Sequence, residues 1–426
     1  MKKITISIIG AGSSYTPELL DMMTRMRDTL DVGELRLYDI DAERLSIMEG
    51  FCRRFMDHAG YPARLSATLD RAQAIRGADF IVTQIRVGGN RARVNDEKIP
   101  LKYGLLGQET TGAGGFAKAL RTIPAMLDIA RDVERHNPQA WVINYTNPTG
   151  IVAEAVTKHT GARFISLCGG GRHPANMLYR AFAIAHERVR YDYFGLNHLN
   201  FSYNITVDGE PITDDQWRAI AKACGVNPEL TVKMKLLPSL YLPYFHNRTH
   251  KVEELKAQEK SRGEAVMEIE KELFRQYADP EVFVKPELLS KRGGGDYAEM
   301  ALGVIAALAY NRDTFAVCNV PGRGVIPFLP GDAVIETACM VNAAGAAPVS
   351  FRSFPDSVWG LVSAVKNYES LTVDAAVTGD RDKALFALLA HPLILDLDLA
   401  QPMLEEILSA NRAFLPAFFP DGGDAG

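Results

Sequence analysis

The sequence is poor in cysteine and has no cluster of basic residues. Its five cysteines are odd in number, widely spaced and without a Cys-x-x-Cys pair. This usage excludes a disulfide framework and predicts a reducing, cytoplasmic location. The formal net charge is −5. Without a basic stretch, neither a nucleic acid nor an anionic membrane surface is expected as a partner.

The sequence also lacks internal repeats, low-complexity tracts and a long apolar run. Its first apolar run, Ile4 to Ile9, is too short to span a membrane and has no signal-peptide flanks. Only the segment 421–426 has a composition that predicts disorder. What the chain does have is 426 residues, 47% of them hydrophobic. This is enough for a large core and two closely joined domains.

The residues that follow the first apolar run predict a nucleotide site. Gly10 and Gly12 separate a strand from the start of a helix, where glycines let the backbone turn tightly and approach a pyrophosphate. Ser13 and Ser14 stand at the same helix start, so we include them among the cofactor-binding residues. The third glycine of the dinucleotide fingerprint is absent, because Tyr15 stands there. A glycine-rich turn that binds no cofactor is the alternative interpretation.

An acidic residue closes the second predicted strand, Leu35 to Asp41. Asp39 is expected to accept hydrogen bonds from the adenine ribose and to favour NAD over NADP. It stands somewhat further from the glycines than the roughly 20 residues that are usual. The alternative is structural, with Asp39 or Asp41 capping the helix that begins near Ala42.

Apolar strands alternate with helical segments through the first half of the chain. The strands are predicted at 79–85, 141–144 and 163–167, and the helices at 115–135 and 150–159. This alternation is typical of α/β proteins with a Rossmann-type, doubly wound parallel sheet, as in lactate and malate dehydrogenases. Polar and glycine-rich segments follow three of the strand ends, so we expect them to line one crevice.

From about residue 201 the pattern loosens into longer helices and two short strands, at 314–320 and 333–341. It predicts a second, α+β domain that closes over the crevice. We therefore place an NAD-binding, Rossmann-like domain at 1–200. A C-terminal domain for substrate, metal and oligomer contacts is placed at 201–420.

Two residues of metal-ligating type belong to this pattern. Cys168 follows a strand end and His198 lies in the segment 194–201, so a thiolate and an imidazole could meet at one divalent ion. By spacing alone, a buried inert cysteine and a core histidine are the favoured interpretation. His173 is an alternative ligand, although Pro174 beside it suits a loop or a helix start equally well.

Several segments together resemble glycoside hydrolase family 4. The similarity runs nearly from end to end, and within the family it is greatest to the 6-phospho-β-glucosidase branch. The segments that carry it are Gly10-Ala11-Gly12-Ser13-Ser14-Tyr15-Thr16-Pro17-Glu18-Leu19, 99–110, Asn147-Pro148-Thr149-Gly150, Gly195-Leu196-Asn197-His198, Tyr241-Leu242-Pro243-Tyr244, 317–330 and 405–414.

The family is an NAD-dependent exception among glycosidases, which otherwise use two carboxylates. The resemblance implies that NAD+ takes a hydride from sugar carbon 3, a base removes the proton of carbon 2, the aglycone leaves by elimination, water adds and the hydride returns. It also implies a divalent ion, usually manganese, at Cys168 and His198. Tyr241 falls at the position of the family's base, a role that needs a pKa lowered by a nearby cation. Tyr244 is the competing tyrosine.

The resemblance further implies residues that bind the sugar and its phosphate. Glu109 and Asn147 match positions near the substrate, with helix-start and turn roles as the respective alternatives. Arg93 stands where members that act on phosphorylated sugars carry an arginine, but it could equally pair with a neighbouring carboxylate on a solvated surface. Arg292, beside a glycine-rich turn, is a second candidate for the phosphate.

One segment departs from the family pattern. Members that cleave 6-phospho-β-glucosides usually carry Asn and Pro after the metal cysteine, whereas this chain has Gly169-Gly170-Gly171. The same mechanism on a non-phosphorylated or uronic sugar is therefore an alternative. Arg172 and His173 add positive charge that suits an anionic sugar of either kind.

Two other classes of protein share parts of this pattern. An NAD-dependent 2-hydroxy acid dehydrogenase has the same sheet and cofactor turn, but it needs a histidine and paired arginines instead of a metal cysteine. A catalytically silent sugar or nucleotide sensor is the third class. Family members are commonly homodimers or homotetramers, so the resemblance also implies a homo-oligomer with a small sugar as its ligand.

Overall fold

The fold is given by a computed structural model that describes residues 1–169, 173–293, 297–351 and 354–420. The strands are β1 (Ile4–Ile9), β2 (Val32–Tyr38), β3 (Arg64–Thr68), β4 (Phe80–Thr83), β5 (Trp141–Asn144), β6 (Arg163–Ser166), β7 (Val189–Leu196), β8 (Leu199–Val207), β9 (Glu210–Pro211), β10 (Leu236–Pro238), β11 (Thr314–Pro321), β12 (Val334–Asn342) and β13 (Gly345–Pro348). The helices are α1 (Thr16–Arg25), α2 (Ala42–Ala59), α3 (Arg71–Ile75), α4 (Gly89–Lys102), α5 (Gly112–His136), α6 (Thr149–His159), α7 (His173–Phe182), α8 (Asp214–Ala223), α9 (Pro228–Met234), α10 (Leu242–His246), α11 (Arg248–Ala257), α12 (Arg262–Ala278), α13 (Leu289–Arg292), α14 (Tyr297–Tyr310), α15 (Trp359–Thr378), α16 (Arg381–Ala390) and α17 (Leu397–Ala410).

Within the described residues, nine strands form one sheet in the order β13-β12-β11-β6-β5-β4-β1-β2-β3. The run from β6 to β3 is parallel throughout, which confirms the doubly wound α/β fold predicted from the sequence. The strand order reverses between β1 and β4. A crevice is expected at this point, beyond the carboxyl ends of both strands.

The C-terminal part of the chain completes the same sheet. β11 pairs antiparallel with β6 through Asn319 and Ser166, and β12 and β13 continue the sheet as antiparallel strands. A smaller sheet of β7, β8 and β10, with β9 beside β8, packs against β12 through β7. The boundary placed near residue 200 stays a prediction, while strands from both sides of it share one sheet.

Local sequence accounts for the ends of elements near the crevice. β2 ends at Tyr38, earlier than predicted, because the next residue, Asp39, turns its carboxylate to the N–H of Gly12 at 2.7 Å. α1 begins at Thr16 with a proline in its first turn, where the missing N–H costs nothing. α12 begins after Ser261 with a capping box that satisfies two backbone N–H groups.

Two apolar clusters cover the two faces of the large sheet. One contains side chains of α5, α6 and α15, and the other contains side chains of α1, α2 and α14. Parallel strands need burial on both faces, which explains their nearly continuous apolar sequences. Along the described ranges, no helix combines the length and the apolar character needed to cross a membrane.

Candidate active site

The glycine turn lies at the carboxyl end of β1. Gly10 has φ +90°, and a Cβ there would come within 3.0 Å of the Gln84 carbonyl oxygen. A Cβ at Gly12 would lie 2.9 Å from Asp39 Oδ2. Both positions therefore need glycine, and the turn leads the backbone to the start of α1, where N–H groups can meet an anion.

Asp39 and Asp41 have separate roles. Asp41 caps α2 by accepting the N–H of Arg44 at 3.0 Å. Asp39 instead accepts the N–H groups of Gly12 at 2.7 Å and of Asp41 at 3.0 Å. The capping alternative therefore applies to Asp41, while the carboxylate of Asp39 stands at the glycine turn, where a dinucleotide ribose is expected.

The two serines of the turn differ in their contacts. Ser13 Oγ accepts the N–H of Tyr15 at 3.2 Å, whereas Ser14 Oγ donates to Glu270 of α12 at 2.8 Å. Glu270 also accepts a hydrogen bond from Asn90 Nδ2 at 2.9 Å. Helix α12, from the C-terminal part of the chain, thus fixes the glycine turn against α4.

Cys168 and His198 meet beyond the end of β6. His198 stands in the tight turn between β7 and β8 at φ +67°, a backbone conformation that few residues other than glycine adopt. Cys168 Sγ lies 3.7 Å from His198 Nε2 and 3.6 Å from Tyr297 Oη. Both members of the expected pair are buried. The structure therefore brings the two side chains together, and their metal role stays a prediction.

The imidazole of His198 suits metal ligation. Burial, with Lys118 nearby, lowers the pKa of His198 to about 4, so the ring is neutral at pH 7. Among the described residues, its buried Nδ1 has no hydrogen-bond partner. A neutral imidazole beside a cysteine sulfur is a donor set that divalent transition metals accept. No cluster of three or more His, Cys, Asp or Glu side chains forms a metal site in the part of the chain that the structure describes.

Tyr241 lies against the His198 ring. The ring centroids are 4.2 Å apart and the planes differ by 28°, whereas the Tyr244 ring lies edge-on to Tyr241 with 5.7 Å between centroids. Burial, followed by Cys168 and Tyr244, raises the pKa of Tyr241. The expectation that a nearby cation lowers this pKa stays a prediction, and such a cation would have to outweigh the effect of burial.

Glu109 stands at the centre of a cluster of positive charges. Its carboxylate pairs with Arg86, with Lys118 Nζ at 2.8 Å and with Arg93 at 3.0 Å. Burial raises the pKa of Glu109, but the three cations hold it well below its usual value. Burial lowers the pKa of Lys118 to about 7 although Glu109 opposes this change. Glu109 thus pairs with three cations, rather than serving as a carboxylate at the start of α5.

The two candidate phosphate arginines differ in their partners. Arg93 donates to Glu97 at 2.8 Å and pairs with Glu109. It is mostly buried, so the alternative of a solvated surface pair is wrong, although its pairing with Glu97 is as anticipated. For Arg292, at the end of α13, the buried Nε has no hydrogen-bond partner within the described ranges. Burial, followed by the charge of Arg86, lowers the pKa of Arg292.

Asn147 lies at the turn between β5 and α6. Its Oδ1 accepts the hydroxyl hydrogen of Thr149 at 3.1 Å, which is the contact expected of its turn role. The next residues, Pro148 and Gly150, line a cavity together with His198. Asn147 is therefore adjacent to the site, and its contact with a sugar stays a prediction.

Some predictions fall on residues that lie outside the described ranges. These are Gly170, Gly171, Arg172 and the tail 421–426. Gly169 is described, and a Cβ there would lie 3.6 Å from the Tyr297 ring. The space beside the cysteine on that side is therefore bounded by an aromatic ring.

Sequence reasoning did not assign four residues that complete the site: Arg86, Lys118, Glu270 and Tyr297. Arg86 belongs to the polar segment after β4, so the strand-end rule is a signal that could have found it. Lys118 is a fully buried lysine on α5, and an unexplained charge among apolar residues is also a usable signal. Glu270 and Tyr297 come from distant helices, and no local pattern connects them with the turn or the cysteine.

Fold and site together define a class of protein. It is an α/β protein of dinucleotide-binding type, in which Tyr297 connects the glycine turn to a Cys-His pair and a tyrosine stacks on the histidine. The model of the Family 4 glycosyl hydrolases matches residues 5–181, and that of the Family 4 glycosyl hydrolase C-terminal domain matches residues 193–394. The chain belongs to this family, which confirms the resemblance drawn from its motifs.

Similar proteins agree with this assignment. A probable 6-phospho-beta-glucosidase of Bacillus subtilis is 37% identical over 435 residues, which cover 98% of either chain. The structure of the 6-phospho-beta-glucosidase from Thermotoga maritima with manganese, NAD+ and glucose-6-phosphate has a TM-score of 0.89 at 33% identity, over 97% of this chain and 99% of that chain.

A solved malate dehydrogenase from Plasmodium falciparum shares the fold alone. Its TM-score is 0.54 at 16% identity, over 90% of this chain and 99% of that chain. This similarity confirms the dehydrogenase-like sheet. The family assignment makes the chain a glycosidase, so the hydroxy acid dehydrogenase is not favoured.

Proposed function

We propose that this enzyme hydrolyses 6-phospho-β-glucosides through transient oxidation of sugar carbon 3 by NAD+, with a divalent metal ion as second cofactor. The observation that carries the proposal is the convergence of Cys168, His198 and Tyr241 at one point of the crevice. Tyr297 contacts Cys168 and also lies edge-on to Tyr15 of the glycine turn, with 6.4 Å between ring centroids. The dinucleotide turn and the Cys-His pair are therefore one aromatic ring apart.

NAD binds at the glycine turn in this proposal. Gly10 and Gly12 let the backbone approach the pyrophosphate, and Ser13 and Ser14 stand at the start of α1. Asp39 accepts the ribose hydroxyls while keeping its hydrogen bond from Gly12. Its negative charge disfavours the 2′-phosphate of NADP.

Cys168 and His198 would hold the divalent ion, for which manganese is the family's usual choice. The fit rests on a sulfur and a neutral imidazole nitrogen that already face each other. When bound, the ion polarises the sugar oxygen at carbon 3. The remaining steps depend on groups of the protein itself.

Tyr241 is the base that takes the proton of carbon 2 onto its Oη. Its ring is held in place by stacking on His198. Because burial raises the pKa of the phenol, it acts as a base only where a positive charge beside His198 offsets that burial. Glu109, kept ionised by three cations, accepts hydrogen bonds from sugar hydroxyls, and Asn147 presents its amide to the same substrate.

Arg292 is the better of the two phosphate candidates. A guanidinium with an unused Nε can donate to a phosphate dianion, whereas Arg93 is already shared between two carboxylates. We expect Arg292→Gln to lower kcat/KM for the phosphorylated substrate by about 10- to 100-fold, since a hydrogen bond to a charged group contributes roughly 1.5–3 kcal/mol. Arg292→Gln and wild type should differ far less on a substrate without phosphate, and an equal loss on both would remove Arg292 from phosphate binding.

The function itself is tested with nitrophenyl glucosides of both anomers, with and without the 6-phosphate, in the presence of NAD+, Mn2+ and a reductant. We expect release of nitrophenol from the 6-phospho-β-glucoside without net formation of NADH. Faster release from an unphosphorylated or uronic glycoside would overturn the proposed substrate. Net NADH from a hydroxy acid without cleavage of any glycoside would overturn the proposed reaction.

We further propose a cytoplasmic homodimer or homotetramer. Phosphorylated sugars are substrates of the cell interior, and the widely spaced cysteines suit a reducing compartment. Light scattering coupled to size-exclusion chromatography gives the number of subunits, and a monomer at assay concentration would contradict the oligomer.

A further inference from the structure

We infer that Glu369 positions His198 through one buried water molecule, on the side of the imidazole that faces away from Cys168. The inference rests on the proposed function, because it concerns how the Cys-His pair is prepared to hold a cation. Glu369 lies on α15 and has no direct contact with the reacting groups in the described part of the chain. It would therefore act as a positioning residue.

A small cavity lies behind the histidine. Its lining includes Thr110, Gly150, Asn197, His198 and Glu369, and it offers about 20 Å³ to the centre of a water molecule. A site needs roughly 10–15 Å³ by this measure, together with two to four polar partners, to hold one water. The cavity is thus large enough for one ordered water and too small for a sugar.

His198 lines this cavity and has one unused polar atom. Nε2 faces Cys168, and Nδ1, on the opposite side of the ring, is buried without a hydrogen-bond partner among the described residues. If Nε2 is to offer its lone pair to a cation, Nδ1 carries the proton and needs an acceptor. Metal-ligating histidines almost always donate this N–H to a carboxylate, a backbone carbonyl or water.

Glu369 supplies the acceptor on the far side of the cavity. Glu369 is 4% exposed, and its Oε2 lies 2.5 Å from Lys366 Nζ. Its Oε1 lies 3.6 Å from the position that a Cβ on Gly150 would occupy, next to Asn197 at 3.2 Å. A water in the cavity can accept from His198 Nδ1 and donate to Glu369, which links the ligand to a carboxyl group on α15.

The carboxylate of Glu369 shares its cation with a second carboxylate. Lys366 bridges Glu369 and Glu154, and Glu154 also accepts hydrogen bonds from Lys158 at 2.8 Å and Ser370 at 2.6 Å. Glu369 itself is paired with Lys366, and the other contacts hold Glu154, the second partner of that lysine. The imidazole orientation is then set by α15 as well as by its own turn between β7 and β8.

The backbone carbonyl of Thr110 is the competing acceptor. It faces the His198 ring and raises the pKa of that histidine. If Thr110 takes the Nδ1 proton, the role of Glu369 is limited to its ion pair with Lys366. The two arrangements predict different effects of substitutions at Glu369 on metal affinity.

The test measures the dissociation constant for Mn2+ by electron paramagnetic resonance of the free ion, with NAD affinity and Tm measured in parallel. We expect Glu369→Leu to weaken Mn2+ binding by about 10- to 100-fold, the usual cost of losing such a partner. Glu369→Gln keeps an acceptor and should restore most of the affinity. NAD affinity should be unchanged in both variants.

Gly150→Ala provides a second, milder change that leaves every charge in place. Its added methyl would narrow the cavity beside Glu369 Oε1 and displace the water, so several-fold weaker Mn2+ binding is expected. Ser370→Ala is the matched control, since it removes a hydrogen bond to Glu154 without facing the cavity. It should lower Tm and leave the Mn2+ dissociation constant within about twofold, because Glu369 keeps its pairing with Lys366 and the cavity lining is unchanged.

Wild-type affinity for Mn2+ in Gly150→Ala and in folded Glu369→Leu would overturn the inference, as would an equal loss in Ser370→Ala. If Glu369→Leu does not fold, Gly150→Ala decides alone. A wild-type enzyme that binds no Mn2+ and cleaves no glycoside would instead overturn the proposed function, so the two failures are distinguishable.

Discussion

At the scale of single residues, Tyr241 is the side chain whose chemistry depends most on its neighbours. We expect Tyr241→Phe to lower turnover by roughly 10²- to 10⁴-fold, the usual contribution of a positioned base, while NAD affinity stays unchanged. Exchange of the carbon 2 hydrogen for deuterium, followed by NMR in D2O, should slow in parallel. Tyr244→Phe is the matched control, since that ring lies edge-on to Tyr241, whereas Tyr241 itself stacks on His198. Unchanged turnover in Tyr241→Phe would remove Tyr241 from the mechanism.

Asp39 gives a second prediction at this scale. Asp39→Ala should weaken NAD binding by about 10- to 100-fold, because hydrogen bonds to a charged group contribute roughly 1.5–3 kcal/mol. Asp41→Ala should cost about 1 kcal/mol of stability as a lost helix cap and leave NAD affinity alone. Titration of intrinsic fluorescence with NAD+ and thermal unfolding separate the two effects. The assignment of Asp39 to the ribose fails if NAD affinity is the same in both variants.

These residues also show what the sequence could and could not predict. Gly10 and Gly12 are readable because only glycine suits their backbone and their close neighbours. The pKa of Tyr241 could not be predicted, since it depends on the burial of the ring and on groups as distant in the chain as Cys168. Arg93 and Arg292 looked equivalent in sequence, and only their contacts separate them: Arg93 is shared by two carboxylates, and Arg292 has an unused Nε.

At the scale of elements, the strands of the parallel sheet and the longer helices that follow were predictable, but the contacts of those helices with the site were not. β1, β4, β5 and β6 are short apolar runs with polar ends, so the length and composition of these runs were sufficient to predict strands. α12 reaches the glycine turn through Glu270, and α14 reaches the cysteine through Tyr297. Those contacts join positions far apart in the chain, which no local pattern encodes.

The packing of α6 against α15 leads to a prediction about pH. Burial raises the pKa of Glu154, but Lys366 and hydrogen bonds from Lys158 and Ser370 outweigh it, so the pKa lies at about 2 instead of 4.5. A carboxyl group whose pKa is lower in the folded state than in the unfolded state stabilises the fold at pH values above its unfolded pKa. This stabilisation is lost as the pH falls toward the folded pKa. We therefore expect Glu154 to stabilise the fold by on the order of 3 kcal/mol at pH 7, with the loss between about pH 4.5 and pH 2.

Urea unfolding of wild type and Glu154→Gln at several pH values between 7 and 3 measures this contribution. The difference in free energy of unfolding should be largest at pH 7 and should shrink below pH 4.5. Glu272 is the matched control, because its pKa is also lowered to about 2, by Arg275 and Gln276, but on an exposed helix face. Glu272→Gln should change stability little, since solvent screens such pairs. A difference for Glu154→Gln that stays constant with pH would contradict the ion-pair account.

At the scale of the whole molecule, two contacts between the family-matched parts of the chain bear directly on the site. The Ser166–Asn319 pairing joins β6 to β11, and the hydrogen bond from Ser14 to Glu270 joins the glycine turn to α12. A nucleotide at the glycine turn would therefore bind to a segment that α12, from the C-terminal part of the chain, holds in place. This arrangement could not be predicted from the loosening of the pattern near residue 201, because a composition shift says nothing about which sheet a later strand joins.

Shared strands predict shared unfolding, which hydrogen exchange followed by mass spectrometry can measure. Peptides from β1 and β4 should open with the same free energy as peptides from β11 and β12, since separating either group breaks one continuous sheet. Peptides of α8, whose Trp217 belongs to a smaller separate apolar cluster, should exchange earlier and serve as the internal comparison. NAD+ at about 100 times its dissociation constant should add about 2.7 kcal/mol to the opening of both strand groups. The contrary result is that peptides of β11 and β12 exchange their amide hydrogens earlier, with no slowing by NAD+. That result would show that the C-terminal strands form an independent unit and that the dinucleotide stabilises only the first part of the chain.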